Sequence, residues 1–126
     1  MLRYFKFWLS LGWLLIMMMC YLSLSSNPPT PHIEFENIDK LGHFLAYFIL
    51  MIWFSQLYKT TRTRLFYVLF FILMGTVLEI LQGLGGVRHF EYYDMLANSL
   101  GVAVAWFITK GRLNNLLLLF EAMITK

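Results

Sequence analysis

Apolar and polar positions alternate along this chain in long blocks. Phe7 to Ser25 carries no charged residue, and Leu41 to Tyr58 repeats the pattern. Leu65 to Leu81, prolonged to Leu84, and Tyr92 to Thr109 are further apolar runs, each with a single charged residue, Glu79 and Asp94. At about 1.5 Å rise per residue, about 19 helical residues cover the roughly 30 Å hydrocarbon core of a bilayer. Each run is therefore long enough to cross. The pattern predicts an all-α integral membrane bundle of four transmembrane helices, spanning approximately 7–25, 41–58, 65–84 and 92–109, in a single domain over 1–126. Leu113 to Lys126 is apolar from Leu116 to Phe120, but it is too short to span and Glu121 interrupts it. It reads as a short helix in the membrane interface or packed on the bundle.

The connectors fit these boundaries. Ser26 to Ile38 contains Asn27-Pro28-Pro29-Thr30-Pro31, where missing donors and extended backbone forbid a helix, and Glu34 and Glu36 make it acidic. Asp39, just ahead of the second run, can cap it by accepting the free amides of a first turn. Lys59, Arg62 and Arg64 form a short basic loop with three threonines, and Gly83-Leu84-Gly85-Gly86 ends the third run in a tight turn. Ser23-Leu24-Ser25 mimics a signal-peptide cleavage site, but the stretch before it is longer and more aromatic than a usual signal core. A retained first helix is the expectation.

Composition points to the same solvent. The chain is 60% hydrophobic and 13% charged, against a soluble average of roughly 45–50% and 25%. The single cysteine, Cys20, excludes an internal disulfide and a cysteine zinc cluster, and it reads as a small apolar residue. No repeat or nucleotide loop is present. The basic residues are dispersed over several loops, which speaks against a nucleic-acid partner.

Where the charges fall sets the expected orientation. With the N-terminus cytoplasmic, Arg3, Lys6, Lys59, Arg62, Arg64, Lys110, Arg112 and Lys126 lie inside, and only Lys40 and Arg88 lie outside. The positive-inside rule favours this arrangement, with the C-terminus cytoplasmic as well. Glu34, Glu36, Asp39, Glu79, Glu91 and Asp94 then collect at the outer face. So do His43, Gln82 and Asn98. Spacing groups them further. Asp39, His43 and Tyr47 share one helical stripe, Gly75, Glu79 and Gln82 a second, and Asp94, Asn98, Gly101 and Ala105 a third. These stripes should face the bundle interior, because a charge turned to lipid at mid-membrane costs about 2.5–3.5 kcal/mol or more. Small residues at Gly101 and Ala105 permit close helix approach.

Four short elements stand in order: Asp39-Lys40-x-x-His43-x-x-x-Tyr47, Glu79-x-x-Gln82, Arg88, and Asp94-x-x-x-Asn98-x-x-Gly101. Together they resemble the pattern of the VanZ-like family of small bacterial membrane proteins, named for an accessory teicoplanin-resistance protein. The resemblance covers roughly residues 37 to 110. Ala105 stands where many members carry a second glycine. The resemblance implies a multi-pass protein of the bacterial cytoplasmic (inner) membrane with a role in the cell envelope. It supplies no reaction.

The chemistry of the cluster admits three expectations. Asp39, Lys40, His43, Tyr47, Glu79, Gln82, Arg88, Asp94 and Asn98 can form a ligand-binding site. In it Arg88 and Lys40 hold a phosphate or carboxylate, Glu79 and Asp94 orient the cations, and Gln82 and Asn98 donate or accept. A lipid-linked envelope precursor or a glycopeptide terminus has the matching charge. The same residues can instead form a polar network that pins three helices with no ligand. Third, His43 with Asp39 or Glu79 can act as a general base, with His43, Glu79 and Asp94 as catalytic candidates. No paired nucleophile and no His-Glu-x-x-His motif supports an enzyme. Three carboxylates and one or two histidines can bind a metal, but their spacing is not diagnostic, so neither metal nor other cofactor is expected. The lipid bilayer is the expected partner. A second copy of the chain or another envelope protein stays open. His32 and His89 read as solvated loop residues, and Trp8, Trp13, Trp53 and Trp106 as interfacial or packing aromatics.

Overall fold

The computed structural model describes residues 1–25, 38–86 and 89–125. The proline-rich connector at 26–37, with His32, Glu34 and Glu36, lies outside the described residues, as do Arg88 and Lys126. Among the described residues the chain is all-helical: α1 (Phe5–Leu24), α2 (Ile38–Leu57), α3 (Thr61–Leu84), α4 (Tyr92–Ile108), a 3-10 turn (Arg112–Asn115) and α5 (Leu116–Ile124). Helices α1, α2 and α3 are long and apolar enough to cross a membrane. Helix α4 has 17 residues, about 26 Å at about 1.5 Å each, slightly less than the roughly 30 Å hydrocarbon core.

Two boundaries depart from the sequence reading. Helix α2 begins at Ile38, so Asp39 lies inside its first turn and meets the helix dipole there. Helix α3 begins at Thr61, so Arg64 belongs to the helix and not to a basic loop.

Hydrogen bonds between elements show that the helices run alternately up and down. The Trp53 indole near the end of α2 donates to the Trp8 carbonyl near the start of α1, at 3.1 Å. The Gln82 amide near the end of α3 donates to the Ser23 carbonyl at the end of α1. Helix α2 is the centre of the bundle and packs against α1, α3 and α4. Its inward face supplies Tyr47, Leu50, Met51, Phe54 and Leu57 to a core completed by Ile16, Tyr67, Phe71, Val102 and Ala105. Aromatic rings fill the middle of that core; Phe54 contacts Tyr67, Phe71 and Trp13 edge-on or tilted. The opposite faces carry Leu14, Met17, Leu45, Ile49, Leu69, Leu73, Leu100 and Phe107 outward. In water that surface would be a liability, and in lipid it needs no cover.

The most intimate contact is between α2 and α4. A Cβ added to Gly101 would sit 2.3 Å from the Phe44 carbonyl oxygen and 3.1 Å from the Phe48 nitrogen, so backbone meets backbone there. Such an approach is available only to glycine. On the third side, Gly75 of α3 accommodates Asn98 and Tyr47, both within 3.2 Å of where its Cβ would stand. Gly101 and Gly75 thus draw α4 against α2 and α3 just below the polar cluster.

At the end of the bundle that holds the start of α1 and the end of α2, polar side chains close the helix termini. Arg64 is buried. Its Nε donates to the Tyr58 carbonyl at 2.7 Å, Nη1 to Thr109 at 3.1 Å and Nη2 to Ser55 at 2.7 Å, with the Asn114 side chain as a further acceptor of Nη2. One guanidinium therefore serves the last carbonyls of both α2 and α4, whose dipoles favour a cation there. Gln56 clamps the C-terminal segment, donating to the Leu113 carbonyl at 2.6 Å and accepting the Leu117 amide at 3.3 Å. Glu121 accepts the Arg3 amide at 2.7 Å, the Tyr4 amide at 3.0 Å and the Trp8 indole at 2.6 Å. The residue that breaks the apolar run of α5 is the one that fastens it to the start of α1.

Candidate functional site

The opposite end carries the cluster. Asp39, Lys40 and His43 project from the first turns of α2, and Asp94 and Asn98 from the first turns of α4. Glu79 comes from the last turns of α3. Contact at Gly101 sets the spacing between the first two groups.

His43 is held by a hydrogen bond on one side of its ring. Its Nδ1 lies 3.1 Å from Asn98 Oδ1. The amide oxygen can only accept, so Nδ1 carries the hydrogen and donates it. In a neutral ring Nε2 is then a lone pair. That lone pair faces Asp94 Oδ2 at 3.6 Å and Asp39 Oδ1 at 3.9 Å. Both distances exceed hydrogen-bond length. Asp94 is 5% exposed. Among the described residues no hydrogen-bond donor reaches its Oδ1; the nearest cation, Lys40 Nζ, stands 3.7 Å away.

Lys40 turns toward Glu91 instead, at 2.8 Å from its carboxylate. Hydrogen bonding and the charge of Lys40 hold the exposed Glu91 carboxyl below the usual carboxylate range. Glu79 is almost fully buried, and its Oε1 accepts the Glu91 amide at 3.1 Å. Glu91 occupies the cap position before α4, so Glu79 fixes where α4 begins.

The sequence-predicted residues divide accordingly. Asp39, Lys40, His43, Asp94 and Asn98 come together at one tip, and Glu79 joins them through Glu91. Tyr47, one turn deeper on the stripe of His43, lies in the core against Gly75. Gln82 is engaged by the Ser23 carbonyl and ties α3 to α1. Arg88 is not among the described residues; chain connectivity alone puts it between Gly86 and Glu91. His89 is exposed. Glu91 was not singled out by sequence. Its signal was present: a carboxylate three residues before Asp94, directly ahead of an apolar run.

The carboxylates of Asp39, Asp94 and the neighbouring Glu79 and Glu91 face one lysine and one histidine among the described residues. The arrangement favours a positively charged species between His43 and the two aspartates, and it presents Lys40 at the rim. Comparison of the chain with protein-family models, with curated proteins and with solved structures finds no match in any of the three.

Proposed function

We propose that this is a VanZ-like protein of the bacterial cytoplasmic membrane that holds an anionic envelope ligand, such as the phosphate headgroup of a lipid-linked precursor, at its outer face. In this reading α4 is a fourth span. Its shortness is offset by Tyr92 and Tyr93 at one end and by Trp106 at the other, where Lys110 stands 3.4 Å from the indole centroid. Aromatic and basic residues of this kind belong at headgroup level. Both termini are cytoplasmic, beside the basic end of the bundle, and the tip with His43 and Asp94 faces outward.

One observation carries the reading. Ionisable side chains from three helices gather at a single end, and Lys40, its side chain 30% exposed, presents a cation at the rim of that end. A network serving packing alone would engage its charged group fully, as the Arg64 guanidinium is engaged. Lys40 at the rim, with Arg88 nearby in sequence, supplies the charge for a phosphate. A purely structural pin is the second reading. It is favoured by Glu79 and Gln82, whose partners are the Glu91 amide and the Ser23 carbonyl.

The two readings separate in nanodiscs. Binding of a phosphatidic-acid probe should weaken at least tenfold in the Lys40→Gln and Arg88→Glu variants while the thermal midpoint stays near wild type. Unchanged probe binding, or a fall in midpoint matching the fall in binding, would favour the structural pin. A topology reporter placing residue 88 in the cytoplasm would end the outward-facing assignment.

A further inference from the structure

We propose that Asp39, His43 and Asp94 form a binding site for a divalent transition-metal cation of the zinc or manganese type, at the shared tip of α2 and α4. The inference does not depend on the anion reading, because the metal can be detected by itself.

The first argument is the direction of the His43 ring. Asn98 fixes the hydrogen on Nδ1, and this leaves an accepting nitrogen aimed at two accepting carboxylates. Lys40, 3.7 Å from Asp94 Oδ1, is turned to Glu91 and leaves the gap between these three acceptors without a positive centre. A proton on Nε2 is one such centre. At 3.6 and 3.9 Å, however, neither aspartate is close enough to hydrogen-bond it. A cation fits the gap better. With ligands at about 2.1 Å, the corners of a tetrahedral zinc site are about 3.4 Å apart. One donor atom from each of the three residues lies within 4.8 Å of the others, so closing onto an ion needs only small side-chain adjustments.

The second argument is independent of the first. Asp94 is 5% exposed, and among the described residues its Oδ1 has no hydrogen-bond donor. A buried carboxylate oxygen without a donor carries a desolvation cost. A bound dication would offset that cost for the whole group.

The third is the supporting shell. Metal-ligating histidines typically donate their second ring N–H to a carbonyl or carboxylate, which fixes both tautomer and ring. Asn98 Oδ1 does this for His43. Gly75 makes room for Asn98, whose Nδ2 and Cβ would otherwise meet a Cβ there at 3.1 and 3.2 Å. The Asp39 side chain is 56% exposed and provides the route by which an ion enters. One imidazole and two carboxylates suit zinc or manganese and leave a coordination position for a further ligand. An anionic headgroup is a suitable occupant of that position.

The test uses untagged full-length protein in detergent or nanodiscs, with Zn²⁺ as the probe. After exhaustive dialysis, wild type should retain close to one equivalent. The His43→Gln and Asp94→Asn variants should bind at least tenfold more weakly. Asn98→Leu should lose about 10–100-fold through the supporting shell alone. If a variant fails to fold, wild type still decides: Co²⁺ should give a visible d–d spectrum, and X-ray absorption of the zinc form should show one imidazole with oxygen ligands. No stoichiometric ion, an ion without imidazole, or binding unchanged in folded His43→Gln protein would overturn the proposal. Phosphatidic-acid binding that survives chelation would leave the anion reading standing while the metal site fell, so the two fail separately.

Discussion

The two ends of this bundle are both polar, and they are built on opposite principles. At the Arg64 end each guanidinium nitrogen donates to an oxygen that the fold itself supplies, mostly the last carbonyls of α2 and α4. At the Asp94 end acceptors face acceptors, and a buried carboxylate oxygen has no described donor. In the first every guanidinium nitrogen has an acceptor, and the one buried group left without a partner among the described residues is the neutral Ser55 hydroxyl. In the second the nearest described cation, Lys40, stands 3.7 Å from Asp94 and is turned to Glu91. Buried polarity in lipid is thus not one signal but two, and the hydrogen-bond inventory separates them.

Substitutions at the two ends should therefore have unequal consequences for stability. Arg64→Met should lower stability most, by about 3 kcal/mol or more, since hydrogen bonds to charged groups contribute about 1.5–3 kcal/mol each and several are lost together. Arg64→Lys should not restore it, because an ammonium cannot reach the same set of carbonyls. Asp94→Asn should stay within about 1 kcal/mol of wild type, as it removes a buried charge along with its weak contact to Lys40. Thermal or denaturant unfolding in one detergent checks the pair. Equal losses at the two ends would erase the distinction.

Gly101→Val comes next and joins the ends of the comparison. A side chain there drives into the α2 backbone at Phe44 and Phe48. Overpacking of this kind costs about 1–3 kcal/mol, sometimes more. It should also pull Asn98 and Asp94 away from His43, so ion retention should fall further than in a variant of equal stability altered near Arg64.

The smallest effect concerns Glu121. Burial of its carboxyl opposes ionisation, but the Tyr4 and Arg3 amides and the Trp8 indole together outweigh it and hold the pKa below the usual carboxylate value. A group depressed in the folded state contributes stability above its unfolded pKa, and that contribution is lost as pH falls through the folded pKa. Acidification below about pH 4, the ordinary glutamate range, should therefore loosen α5 first. Hydrogen exchange at the Arg3 and Tyr4 amides should rise before exchange in the α2 core. Uniform acceleration across the bundle would show that Glu121 is not a local fastening.

Much of this was legible in the order of residues. Long apolar runs of this number cannot be buried by 126 residues in water, so helices suited to lipid follow from composition and length. The stripes at Asp39/His43 and Asp94/Asn98 followed from helical period, and Gly101 from the need for close approach. Less legible were Arg64 and Glu121. In sequence Arg64 looks like one more loop cation and Glu121 like an interruption. Their roles depend on the end of α4 returning beside the end of α2, and on α5 returning to the start of α1. Tyr47 and Gln82 show the converse. They share stripes with cluster residues, yet one turn of depth, or a neighbouring carbonyl, gives each a different partner.

The sequence by itself determined that these helices belong in lipid and that their rare charges gather at helix tips, because hydropathy and a 3.6-residue period act locally. Only the tertiary structure decided which tip was satisfied and which was not. Satisfaction is a matter of distances between groups far apart in the chain, such as His43 and Asp94, and no local rule records them.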